Sequence, residues 1–354
     1  MSRSVVCNDA PPMDHVSPEL APDCRATPLS ALLDDRNEAG AHFIRSHHGV
    51  PQIAEHDYVL AVTGLVKRPI RWALDDLRKL SHTTAHVTLE CAGHRRTELD
   101  PPADGVPWGL GAVGHARWAG GQLTDLFEVV QPLPEATHVV FHGCDLGTLD
   151  GYAEPQSFSR AMPLRDPAIG EAILAWEMNG RRLEPEHGYP VRAIVPGWYA
   201  VASVKWLTGI ELIAGEFDGF YQAIDYRLRE EGEPAPGREL TRMPVNSLIT
   251  SPAATDVVAA GEVLLQGIAW GGLGGIGGID VQIDDGAWLP TRIDPGPGRH
   301  APTRFSVAVE LTPGPHVVRS RARDREGSRQ PDTIAWNSRG YGVNDVCAVA
   351  LTVS

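Results

Sequence analysis

The chain has 354 residues, 42% hydrophobic and 21% charged, with a formal charge of −14 from 31 basic and 45 acidic side chains. That length and composition support two or three domains with buried cores. The acidic balance repels polyanions, so nucleic acid and anionic membrane surfaces are poor partners and arginines gathered about an anion must be a local feature; no apolar run approaches the roughly 20 residues needed to cross a bilayer.

The chain opens MSRSVVCNDAPPMDHVSPELAPDCR, rich in proline and acid. It lacks the apolar segment of roughly 7–15 residues behind a basic start that marks a secretory signal. Residues 1–33 read as an extended tail, and a cytoplasmic protein is expected. The cysteines (Cys7, Cys24, Cys91, Cys144 and Cys347) are odd in number and scattered. None forms a CxxC, CxxCH or zinc-type cluster, which disfavours a disulfide framework and covalently attached haem and favours a reducing compartment.

From about Asp34 to Leu228, β-type runs alternate with helical stretches. DYVLAVTGLV, HVTLEC, HVVFHG, VRAIVPG and SVKWLTGIELI read as strands, and ALDDLRKL and QLTDLFEVV carry helical spacing. Asn179-Gly180 between AILAWEM and RRLEP signals a tight hairpin. The pattern is α+β, without the regular βαβ cadence of a nucleotide-binding fold. REEGEPAPGREL, Arg229 through Leu240, reads as a charged connector. After it, alternating strands such as EVLLQGIAW, TRFSVAVEL and DVCAVALTV predict an immunoglobulin-like β-sandwich. The expected organisation is a catalytic domain over 34–235 and a sandwich over 241–354. The run GGLGGIGGI, Gly271 to Ile279, reads as an inter-strand turn. It leads into a strand and lacks the Lys-Ser/Thr of a phosphate loop.

Chemistry concentrates in VTLECAGHRR, Val87 to Arg96. Arginine beside a thiol favours the thiolate, which is a nucleophile or a soft metal ligand. Cys91 has four readings. As a structural thiol it needs no partner, but two adjacent arginines would be costly to bury without an anion. As a nucleophile it needs a base, and His94 reaches it only through a turn. As a zinc ligand it lacks spaced partners. As a single soft ligand to a metal already held by an organic group, it needs none.

Five segments occur in order: FIRSHHGVP, LECAGHRRTEL, GVPWGLGAVGHARWAG, AWEMNGRRLEPEHGYPVRAIVPGWYAVASVKWL and PDTIAWNSRGYGVNDV. Together they resemble the sulfite oxidase family of molybdenum enzymes over nearly the whole chain from about Leu33. The resemblance implies molybdenum held by one molybdopterin, oxygen ligands and a single cysteine, here Cys91. It implies pterin contacts from Phe43, Ser46, His47, Asp145, His187, Arg192, Ser203, Val204 and Lys205. It implies a substrate pocket of Arg45, Arg96, Arg339, Trp108 and Tyr226. Arginine suits sulfite and sulfate because its paired N–H groups match oxyanions and it never loses its charge. The implied reaction is oxygen-atom transfer to sulfite, with Tyr226 coupling proton to electron movement.

Two positions depart from the family pattern: His94 and Ser46 stand where asparagine is usual. Taken singly, Trp108 reads as core, His187 as a turn residue, Arg339 as a surface ion-pair partner, and His47 with His48 as hydrogen-bonding groups. The ordered set reverses those readings. No haem-domain motif accompanies the segments, so electrons are expected to pass to a separate cytochrome, oxygen or another acceptor. The C-terminal domain resembles the family's dimerisation domain, implying a homodimer. Two alternatives stay open. One is nitrate-reductase-like activity on the same scaffold, against which the resemblance sets Arg339; the other is a cofactor-free anion-binding module.

Overall fold

The computed structural model describes residues 24–34, 37–271 and 274–354. It is β-rich, with few and short helices. One mixed sheet runs in the order Ile70–Ala73, Val59–Gly64, Leu207–Ile213, His138–Gly147, Gln156–Pro163. Its single parallel pairing joins Val59–Gly64 to Leu207–Ile213. A second, antiparallel sheet runs Arg181–Arg182, Ile173–Met178, Val113–Gln122, His82–Glu90, with Arg192–Ile194 also on Ile173–Met178. The Asn179-Gly180 hairpin is present. Both residues adopt positive φ, 56° and 79°, as a two-residue turn between right-twisted strands requires. QLTDLFEVV yields the helix Leu123–Val130, which buries Leu123, Leu126 and Val130 on one face. ALDDLRKL gives only the single turn Leu74–Leu77.

The C-terminal part consists of two further antiparallel-rich sheets. One runs Asn246–Ser251, Gly261–Trp270, Thr303–Leu311, Arg292–Pro295; the other runs Val257–Val258, Cys347–Val353, Gly314–Asp324, Ile276–Ile283, Leu289–Pro290. Alternate residues of both, including Leu265, Phe305, Val281, Val318 and Leu351, close one shared core. The glycine-rich run does lead into a strand at Ile276, but its Gly272 and Leu273 lie outside the described residues.

Two expectations change. The extended-tail reading of residues 1–33 gives way from Cys24 onward; residues 1–23 lie outside the described residues. Cys24–Arg25 pairs with Ile44–Arg45, Thr27 Oγ1 accepts from the Phe43 amide at 2.9 Å, and Leu32 is fully buried. Apolar side chains of the segment found a place in the core that a proline-rich composition does not reveal. The connector, too, is folded: Arg227–Leu228 pairs with Arg238–Glu239, and Leu240 joins the main core. That core also takes in Leu248, Ile268 and Trp270 from the C-terminal part, so the two parts are packed rather than merely tethered.

Candidate active site

Strand His82–Glu90 ends one residue before Cys91, and the chain turns at once. His94 N donates to the Cys91 carbonyl at 2.9 Å, and Arg95 adopts a left-handed φ of 61°. The turn sends the two arginines apart. Arg95 is buried against Glu98 and Asp345, at 2.6 and 3.1 Å. Arg96 enters a cavity beside Cys91. Its Nε donates to the Arg339 carbonyl at 2.8 Å and its Nη1 to the Val106 carbonyl at 2.6 Å. A side chain at Gly93, Gly105 or Gly340 would collide with Arg96, so three glycines form its cradle. Burial pushes the Cys91 thiol up, with Arg96 and Arg45 pulling the other way. The arginines therefore moderate a desolvation penalty rather than create a free thiolate.

Two cavities meet at this cysteine. The larger, with about 670 Å³ of empty volume, is lined by Cys91, Arg45, Tyr226, Phe43, Ser46, His47, Asp145, His187, Arg192, Ser203 and Lys205, among others. The smaller, about 410 Å³, is lined by Cys91, Arg45, Tyr226, Arg96, Trp108 and Arg339, with Asp104, Asp225 and Tyr341. Cys91, Arg45 and Tyr226 form the shared wall. Of the site residues singled out in the sequence, only Val204 lines neither cavity. Its side chain is buried in the main core and its carbonyl accepts from the Ala193 amide at 2.8 Å.

The larger cavity is unusually cationic for a buried space. Lys205 Nζ donates to Ser46 Oγ at 2.8 Å and to the Glu186 carbonyl at 2.9 Å, and burial lowers its pKa to about 7. Arg192 is fully buried, which lowers it to about 9. Its guanidinium donates to the carbonyls of His187 and Ser203 at 3.0 and 2.8 Å and lies 4.9 Å over the Trp118 ring. This makes Arg192 a strut for the cavity wall as much as a free cation. His187 Nε2 bonds the Ala39 carbonyl at 2.8 Å, and burial lowers its pKa to about 4. Ser203 Oγ accepts from the Val195 amide at 3.0 Å.

Three residues lining these cavities each carry a buried polar atom with no partner among the described residues: His42 Nε2 and Asp145 Oδ1 for the larger, Trp108 Nε1 for the smaller. Buried polar groups are normally satisfied, so residues with such orphans beside a cavity are candidates to meet a ligand's donors and acceptors after a side-chain rotation. Asp145 is pushed up by burial to about 6, opposed by Lys205. A heterocycle rich in N–H and carbonyl groups fits the larger cavity, and a small oxyanion fits the smaller.

His94 takes no part. Its ring packs edge-on against Trp270, at 5.6 Å, with both nitrogens buried and unpartnered among the described residues, so the nucleophile–base reading of Cys91 loses its base. No group of three His, Cys, Asp or Glu side chains with metal-site geometry occurs among the described residues. Sequence reasoning missed His42, Asp225 and Tyr341, although His42 and Tyr341 lie within or one residue from quoted segments and Asp225 directly precedes Tyr226. It also missed Arg160, which is buried behind Tyr226 with its guanidinium 6.0 Å from the ring. No short motif surrounds Arg160, and only the fold brings it there.

Comparison with known proteins agrees with this geometry. Residues 47–221 match the model of an oxidoreductase molybdopterin binding domain, and 238–353 that of a Mo-co oxidoreductase dimerisation domain. The chain is 30% identical to the sulfite oxidase of Arabidopsis thaliana over 344 residues, covering 88% of this chain and 87% of that one. It is 34% identical to the mitochondrial sulfite oxidase of Homo sapiens over 88% of this chain, spanning 61% of the human protein's length. The NADH nitrate reductase of Spinacia oleracea is 32% identical over 84% of this chain and 36% of that protein. Among solved structures, the sulfane dehydrogenase SoxCD from Paracoccus pantotrophus superposes with a TM-score of 0.83 at 25% identity, covering 97% of this chain and 89% of the other. With a cavity for a large heterocycle and one for an anion converging on a single cysteine, the chain belongs to the sulfite oxidase family of molybdopterin-dependent oxidoreductases.

Proposed function

We propose that this chain oxidises sulfite to sulfate with a molybdenum–molybdopterin cofactor and passes the electrons to a separate acceptor. The observation that carries the reading is the junction of the two cavities at Cys91, Arg45 and Tyr226. The donor set fits the cofactor. One thiol lies at the junction, cationic and hydroxyl groups line the larger space, and His42 and Asp145, each with an unpartnered buried polar atom, are among its lining residues. Bound there, the cofactor supplies a transferable oxygen atom and a two-electron sink at the metal.

The protein's part is to hold the ligands and the charge. Cys91 offers the thiolate ligand; Lys205, Ser46, His187 and Arg192 frame the pterin space. Arg45, Arg96 and Arg339 oppose the substrate's negative charge, each charge-assisted hydrogen bond contributing about 1.5–3 kcal/mol. Trp108 Nε1 donates to an oxyanion oxygen. The Tyr226 hydroxyl, bonded to His47, holds a proton at the shared wall. The C-terminal part, read as an immunoglobulin-like sandwich, pairs two copies of the chain.

Metal analysis and a parallel assay test this. About one molybdenum per chain is expected, with sulfite-dependent reduction of ferricyanide, cytochrome c or oxygen, and a dimer by light scattering. Nitrate turnover without sulfite turnover would replace the reading with a nitrate-reductase-like one, and absence of molybdenum from a cofactor-competent host with the anion-binding module. Cys91→Ser is expected to keep the pterin but lose sulfite oxidation; full activity in that variant removes Cys91 as a ligand. Arg339→Met is expected to impair sulfite turnover far more than cofactor loading.

A further inference from the structure

The smaller cavity, read as an anion site, is lined by two carboxylates, Asp104 and Asp225, of which Asp225 is the one paired with a cavity arginine. Asp225 lines it beside Arg45, Arg96 and Arg339, and precedes Tyr226. Its Oδ1 accepts a hydrogen bond from the Tyr341 hydroxyl at 3.0 Å and lies 3.8 Å from Arg339 Nη2. The three guanidinium groups are not equally held. Arg96 is bonded to two main-chain carbonyls and cradled by glycines; Arg45 donates to the Ser46 carbonyl. Arg339 has its side chain 48% exposed, and among the described residues Asp225 is its only carboxylate partner.

The backbone beneath Arg339 is fixed. Asn337 bonds Tyr341 in both directions, at 2.9 Å each, and the Arg339 carbonyl accepts from Arg96. A rigid turn thus carries a movable cationic arm, and the arm is parked on an internal anion.

We propose that Asp225 is a specificity-determining residue that holds Arg339 in the substrate-free pocket and is exchanged for the incoming oxyanion, lowering the pocket's affinity for doubly charged anions. The inference rests on the oxyanion reading of this cavity. A partly exposed ion pair at 3.8 Å is weak, so exchange is inexpensive. Like charges brought together oppose binding, so the carboxylate penalises a dianion more than a monoanion. Sulfate, the doubly charged product, is the anion most disfavoured, and Asp225 thereby promotes its release. Tyr341 sets the position: its hydroxyl holds Oδ1, its ring stacks on Tyr226 and lies under Arg96.

Calorimetric titration of the molybdenum-loaded and the cofactor-free chain with sulfate and with nitrate tests the proposal. Asp225→Asn is expected to bind sulfate about fivefold more tightly, with a smaller gain for nitrate. It is also expected to lower KM for sulfite and strengthen product inhibition. Asp225→Glu should return sulfate affinity toward the wild-type value. Tyr341→Phe, which removes only the hydroxyl clamp, should shift affinity in the same direction by less, and carries the test if Asp225→Asn does not fold. A merely structural role predicts weaker binding in both variants. Unchanged or weaker sulfate binding by a folded variant overturns the proposal while leaving the oxyanion reading intact. A wild-type chain that binds neither sulfate nor sulfite removes that reading, and this inference with it.

Discussion

Nε2 of His47 lies 2.6 Å from the hydroxyl oxygen of Tyr226. Burial, reinforced by Arg45, lowers the histidine well below its ordinary value, and burial raises the tyrosine well above its own. Both groups are therefore neutral at physiological pH, and one proton lies between two weakly acidic atoms at the wall common to both cavities. That arrangement keeps the hydroxyl proton on a neutral pair at the wall, with no resident charge competing for the arginines.

Removing the hydroxyl isolates its contribution. Tyr226→Phe keeps the ring that stacks on Tyr341 and is expected to reduce kcat/KM for sulfite by about 10²-fold, the lower end for a positioned proton donor. The solvent isotope effect should change with it. Wild-type rate and isotope effect in the variant would relegate Tyr226 to packing.

Gly93 tests the cradle around Arg96. A methyl group there would meet the guanidinium directly. Gly93→Ala is expected to displace Arg96 and raise KM for sulfite about tenfold, the loss of one charge-assisted hydrogen bond, while molybdenum content holds. A variant with unaltered KM would show that the position of Arg96 does not matter to substrate binding.

Glu90 joins the two parts of the chain. The carboxyl, buried and raised to about 7 chiefly by desolvation, accepts from Asn246 Nδ2 at 3.1 Å and Trp270 Nε1 at 3.0 Å, both from the C-terminal part. Glu90→Ala leaves the indole donor without this acceptor, at a cost of about 2–3 kcal/mol. Chemical unfolding should show a lower midpoint. An undisturbed midpoint would mean that water or another acceptor replaces the carboxyl.

Acid sensitivity follows from the buried histidines. His42, His47 and His94 are held well below 6.5 and His187 at about 4, all mainly by burial. Below pH 6.5 the unfolded chain takes up protons that these folded sites refuse, so stability falls as pH falls. Glu90 and Asp145, raised to about 7 and 6, act oppositely by keeping protons that the unfolded chain has released. His300, also lowered to about 4 by burial, adds to the histidine side, so the histidines outnumber the two carboxyls and stability is expected to fall between roughly pH 6 and 5. Urea midpoints of the cofactor-free chain at pH 5, 6 and 7 check the sign; equal stability at pH 5 and 7 would contradict it.

Much of this site was legible in the primary structure because its elements are local. The hairpin at Asn179-Gly180 needs only two residues that tolerate positive φ, and the turn after Cys91 keeps its thiol and Arg96 close together in the chain. What escaped depended on distance in sequence or on competition between charges. Arg95 and Arg96 are adjacent and identical in type, yet one is consumed by Glu98 and Asp345 while the other lines the anion cavity. Asp225 and Tyr341 are separated by 116 positions and meet only after the C-terminal part packs on the first. The thiol's own proton affinity was misjudged because burial outweighs two neighbouring cations. The first segment failed for a related reason: a composition typical of unfolded chain says nothing of the few positions that anchor it.

That anchoring reaches the catalytic junction. Arg45, part of the wall between the two cavities, belongs to a two-residue strand whose one partner is Cys24–Arg25, and Phe43 beside it is held by the Thr27 hydroxyl. Trimming the protein to begin at Asp34, harmless if everything before it dangled, would withdraw that brace and let the shared arginine drift. Limited proteolysis near the start of the chain would then silence the enzyme while leaving its four larger sheets in place.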